Sequence, residues 1–177
     1  MKVKIGNYPT YRWYSKYIAL VFGEKEQKVS VKLDRWDTWS MDATLAHIVV
    51  PMLIQLKKTT HGCPIVAFED RPPELIGTIP KEPHITDEFW EESWNWVLDE
   101  MIFAFKSKSE DWEEQFRSGE HDMIWKEIVE GTFKGMTKMV IGLEDTYKVD
   151  TEGRNAYQAR ITNGFRLFGK YYENLWD

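Results

Sequence analysis

A chain of 177 residues with 23 Lys and Arg against 29 Asp and Glu carries a formal charge of −6, which argues against general nucleic-acid binding unless a basic patch is strongly localised. No run approaches the ~20 apolar residues of a membrane span and the opening Met-Lys-Val-Lys-Ile lacks a signal-peptide core, so one soluble, intracellular domain over residues 1–177 is expected. Cys63 stands alone, which excludes a disulfide framework and a cysteine-rich zinc site.

Residues 2–5 and 27–34 alternate as strands do, with Val29, Val31 and Leu33 on one face and Ser30, Lys32 and Asp34 on the other. Between them, 11–22 reads as a short aromatic-rich helix closed by Gly23. A long helix is expected from about 40 to 58, with Ser40 as N-cap, Asp42 in its first turn and Pro51 inside it as a kink or break. The five prolines in 59–86 mark a long ordered loop. A second long helix, 87–106, places acids in its first turn and lysines near its end, and a shorter helical piece follows at 110–117. Gly131, Gly135 and Gly142 punctuate 122–149 as a small β meander or hairpin. Asp150 then caps a terminal helix, expected over 154–177, which closes on Tyr171, Tyr172, Leu175 and Trp176. Those four should be buried in a core or against a second subunit.

Nine Trp, nine Phe and eight Tyr make a large aromatic core, or such a core together with an aromatic binding surface. On the 87–106 helix Glu100 projects into the apolar side, whereas Asp99 points to the polar strip. A carboxylate so placed is an acid/base of raised pKa, a metal ligand, or one half of an ion pair with an arginine of another helix; the ion pair is the preferred reading. Asp42 shares the main stripe of the 40–58 helix with Leu45, Val49, Met52, Leu53 and Leu56, while His47 lies opposite with Val50 and Ile54. Glu100, Asp42 and His47 are therefore candidates for buried ionisable groups. On the terminal helix Arg160, Gly164, Leu167 and Tyr171 form a second seam, Gly164 admitting another backbone, and Arg166 and Lys170 stand one turn apart where they could grip one anion. Together with Arg12 and Trp13 near the start, Arg160, Arg166, Lys170 and Tyr171 are candidate contacts for an anionic, nucleotide-like ligand. Internal ion pairing and ordinary packing are the competing reading.

Recognisable catalytic motifs are missing. Neither Glu-x-x-His nor His-x-x-x-His occurs, nor a Gly-x-Gly-x-x-Gly, Walker loop or Gly-x-Ser-x-Gly elbow, so no metal, cofactor or catalytic residue is assigned. His121-Asp122 is similar to the dipeptide of HD phosphohydrolases, and Glu88-x-x-Glu91 with Glu110-x-x-Glu113 faintly resemble the carboxylates of all-α nucleotide pyrophosphatases, though the second pair lacks that family's terminal Asp. Cys63 within His61-Gly62-Cys63-Pro64 reads as a packed or idle thiol in a turn.

Three segments carry a resemblance: Trp36-Asp37-Thr38-Trp39-Ser40-Met41-Asp42 with Thr44-Leu45-Ala46, Trp96-Val97-Leu98-Asp99-Glu100-Met101-Ile102, and Asn163-Gly164-Phe165-Arg166-Leu167-Phe168-Gly169-Lys170-Tyr171-Tyr172. They resemble a family of small uncharacterised proteins of tailed bacteriophages, including T4-like ones. The resemblance implies a product made in the cytoplasm of an infected bacterium and brings no activity with it.

The expected fold is α+β, three main helices with one small antiparallel sheet built from the N-terminal strands and 122–149, assembled as a homo-oligomer. The expected function is a non-enzymatic phage accessory protein that binds a host factor or a small anionic, nucleotide-like ligand, with the countering of host defence as one use. The alternatives are a metal-dependent nucleotide hydrolase using Glu100, Asp99, Asp42 and His47, and a minor virion component.

Overall fold

Short alternating segments build the first element pair. In the computed structural model, which describes residues 1–5, 14, 17, 20, 27–78 and 86–176, β1 (Lys2–Ile5) pairs antiparallel with β2 (Val29–Lys32), Val3 opposite Val31 and Ile5 opposite Val29. Asp34 then starts a 3-10 turn, Arg35–Thr38, by accepting the Trp36 N–H, and Asp37 returns the favour by accepting the Asp34 N–H at 2.7 Å. The helix expected over 11–22, with Arg12 and Trp13, falls almost wholly outside the described residues.

The fold is α+β, with three helices and three two-stranded antiparallel sheets among the described residues. Contacts divide it into two compact units, Met1–Leu45 and Ala46–Asp177, with the join inside the first long helix. Among the described residues the strands pair two by two, β1 with β2 and the later strands with one another, in place of the single sheet expected from the N-terminal strands and 122–149. Helix α1 (Met41–Thr59) continues through Pro51. It buries Ala46 and Leu53, about two turns apart on one face, and leaves Met52 and Ile54 exposed.

The core lies around α2 (Trp90–Lys106), where Trp94, Val97, Leu98, Met101 and Ala104 are fully enclosed. The sequence pattern starts this helix at Asp87, yet it begins three residues later. The Asp87 carboxylate is engaged instead with the guanidinium of Arg71 and the Phe89 N–H. Helix α3 (Thr151–Lys170) packs closest to α2. Asp150 caps it by accepting the Gly153 N–H at 2.9 Å. Gly164 is the point of nearest approach: a methyl there would collide with the Glu100 carbonyl and the Ala104 side chain. Edge-to-face rings complete the seam, Phe105 against Phe165 and Phe168 at 5.0 and 4.8 Å.

Between α2 and α3 the chain makes a long excursion. The helical piece expected at 110–117 shrinks to a 3-10 turn, Glu114–Phe116. The Phe116 carbonyl accepts the Asp150 N–H, and Arg117 already pairs with Val149, so extended backbone takes over. There β3 (Arg117–Ser118) pairs with β6 (Lys148–Val149). Farther out, β4 (Met123–Glu127) pairs with β5 (Thr137–Ile141), Trp125 opposite Met139. Trp112 stacks on Tyr157 at 4.8 Å, with Phe103 and Phe116 against the same ring, tying the base of the excursion to α3.

Candidate functional site

Two features converge at the end of α3. The first is a buried carboxylate. Asp70, in the 3-10 turn Phe68–Asp70 of the proline-rich loop, has a fully enclosed side chain. Tyr171 donates its hydroxyl to Asp70 Oδ2 at 2.7 Å and accepts the Ala67 N–H at 3.0 Å. Arg166 Nη2 stands 2.6 Å from Oδ1 and Lys170 Nζ 2.6 Å from Oδ2. Burial pushes the Asp70 carboxyl up, but hydrogen bonds from Lys170, Tyr171 and Arg166 outweigh it and hold the group below the usual aspartate range. Lys170 is raised by its bonds to Asp70 and Glu69, and Tyr171 is raised by burial and then by its bond to Asp70.

This arrangement accounts for Arg166, Lys170 and Tyr171. The anion they grip belongs to the chain itself, so the expected site for an external anion is filled by Asp70. Arg160 is likewise engaged, with Nε and Nη2 against both oxygens of Glu100 at 2.6 to 3.0 Å, while its guanidinium lies over the Phe103 ring at 3.8 Å. Glu100 is buried and has the arginine partner from another helix. Arg12 and Trp13 lie outside the described residues.

Asp42 and His47 are exposed, which corrects their place among buried ionisable groups. Helix α1 turns Ala46 and Leu53 inward, and His47, one step of 100° from Ala46, faces out. Asp99 meets Lys57 of α1 at 2.6 Å rather than sharing a pocket with Glu100. Among the described residues no three His, Cys, Asp or Glu side chains gather as a metal site, so the carboxylate cluster that a metal hydrolase needs is not formed by them. His121 stacks on Tyr147 at 3.7 Å and meets Asp145 at 3.2 Å at the base of the β ribbon. Burial pushes the half-buried Cys63 thiol up, with a smaller contribution from Glu91, away from the reactive thiolate.

The second feature is an apolar groove of about 790 Å³ between α1 and the segment that follows α3. Val49, Met52, Leu53 and Leu56 form its α1 wall, and Phe168, Tyr172, Leu175 and Trp176 the other. The terminal helix expected to run to 177 instead stops at Lys170. Tyr171 leaves helical geometry there, its hydroxyl fixed by the loop, and a 3-10 turn, Tyr172–Asn174, carries the chain across. Of the four terminal apolar residues, Tyr171 is buried and Leu175 half-buried, but Tyr172 and Trp176 are 65% and 66% exposed. The expectation that all four are buried is corrected to that extent: the turn puts the last two on the lip of the groove.

The sequence reading finds the Val49, Met52, Leu53 and Leu56 stripe of α1 but does not pair it with the residues after α3. It missed Asp70 altogether, since nothing in Phe-Glu-Asp-Arg tells which acid lies inside. No protein-family model, curated protein or solved structure matches the chain.

Proposed function

We propose that this is a non-enzymatic binding protein whose groove takes the apolar face of an amphipathic helix from a protein partner. The observation that carries the proposal is the open apolar groove with aromatic side chains at its lip. Val49, Met52, Leu53 and Leu56 follow one another at helical spacing, and the wall from Val49 to Thr59 is roughly 15 Å long at 1.5 Å per residue. That matches nearly three turns of a partner helix laid along it, the helix-in-groove mode of recognition. Tyr and Trp at such a lip are the residue types that most often dominate binding energy.

A small anion is the weaker occupant. Arg160, Arg166 and Lys170 already neutralise Glu100, Asp70 and Glu69, and the groove wall itself carries no charged side chain. The resemblance to bacteriophage proteins supplies the setting in the same reading: the partner is a host protein met in the bacterial cytoplasm. Among the described residues no helix is long and apolar enough to cross a membrane.

Photo-cross-linking tests this. A benzoylphenylalanine replacing Met52 or Trp176 in bacterial cells should give one discrete adduct with another protein. The same probe at the exposed Lys148 should not give that adduct, and Leu56→Asp should abolish it. Adducts that are diffuse, or equal from Lys148, overturn the proposal.

A further inference from the structure

The ribbon formed by β4 and β5 has no buried side chain: nine of its ten residues are exposed and Val140 is half-buried. Alternation puts Met123, Trp125 and Glu127 on one face with Ile141, Met139 and Thr137 opposite them. Ile124, Lys126, Lys138 and Val140 occupy the other face. The first face is thus apolar except at its outer end. A two-stranded hairpin alone is marginal in water, and one displaying such a face needs a cover.

We infer that the cover is the same ribbon of a second copy, packed face to face about a two-fold axis, so that the protein is a homodimer joined away from the α1 groove. Three observations favour this occupant. The first is charge. A chain of net charge −6 opposes its own association, but the apolar face carries only Glu127, at its rim, and the opposed Lys126 and Lys138 lie on the other face where packing leaves them in water. The second is self-complementarity, since a two-fold axis packs the patch of Met123, Trp125, Met139 and Ile141 in one copy against the same patch of the other. The third is area. Their exposures of 45%, 68%, 54% and 72%, at about 200 Å² per large side chain, leave roughly 500 Å² per copy. Two copies together then bury about 1,000 Å², the size from which a specific interface begins.

The turn also holds the ribbon in shape for this. Gly131 and Gly135 adopt φ of 88° and 85°, and the Ile128 N–H donates to the Met136 carbonyl at 2.8 Å, so the ladder continues past Glu127.

The test is the molar mass of the full chain by light scattering after gel filtration at 5 to 100 micromolar, for the native protein, Trp125→Lys with Ile141→Lys, Met139→Glu, and the groove variant Leu56→Asp. Thermal unfolding of each sample shows that it is folded. The inference expects a dimer for the native protein and for Leu56→Asp, and a monomer with nearly native unfolding for both ribbon variants. A native monomer throughout the range overturns it. So does a dimer that survives both ribbon variants, and if that dimer is lost in Leu56→Asp the second copy occupies the groove instead. Failure of the ribbon variants to dissociate leaves the cross-linking result from Met52 unaffected, so the two readings fail separately.

Discussion

Replacing Asp70 by Asn and Tyr171 by Phe, singly and together, probes the junction that holds the groove wall. The 2.7 Å bond from the Tyr171 hydroxyl runs to an enclosed, ionised acceptor, a class worth about 1.5–3 kcal/mol. Arg166 and Lys170 reach solvent at their far ends, so water screens their pairs with Asp70 and they add little. Asp70→Asn should therefore lose about 2–3 kcal/mol. Tyr171→Phe should lose a similar amount, because the Ala67 N–H is also left without its acceptor. At roughly 2–4 °C per kcal/mol for a chain of this size, each melts about 5–10 °C lower. Urea unfolding followed by tryptophan fluorescence gives the free energies, and the double variant should show a coupling of about 1–2 kcal/mol. Strict additivity of the two losses refutes the bond as the source.

Gly164→Ala should destabilise by about 1–3 kcal/mol through overpacking against the Glu100 carbonyl and the Ala104 methyl, measured by urea unfolding. Arg160→Ala strands a buried carboxylate and should lose about 2–3 kcal/mol, whereas Arg160→Ala with Glu100→Gln should recover part of that in the same assay. The Asp70 junction also fixes a pH dependence. Tyr171 and Lys170 are raised in the folded state, so the native protein keeps their protons after the unfolded chain has released them, and stability falls as pH rises above about 10. Asp70 is lowered, so its share is lost only as pH falls below about 3.9. Melting temperature against pH should show both arms, and Tyr171→Phe should blunt the alkaline one.

The helices were legible because each carries a long periodic signal. Met101 and Ala104 repeat at helical spacing on α2, and Asp150 and Gly164 announce a cap and a close approach by chemistry that no other residue supplies as well. Element ends were less legible, because tertiary partners decide them: Arg71 draws Asp87 away from the start of α2, and Asp70 stops α3 at Tyr171. The site followed the same rule. Glu100 could be singled out from its own helix, since an acid amid apolar neighbours needs a partner wherever it lies. The use of Arg166 and Lys170 depends on Asp70, about a hundred residues away, and local spacing holds no information about that distance. The groove depends in the same way on residues of α1 meeting residues after α3.

Titration of the cross-linked partner segment, made as a fluorescent peptide, against the native protein, Met52→Glu and Arg166→Gln tests the groove most directly. The account predicts saturable binding that Met52→Glu weakens at least tenfold and Arg166→Gln leaves within about twofold, with both variants folded. Binding indifferent to Met52→Glu and lost in Arg166→Gln contradicts it and returns the site to the cations of α3.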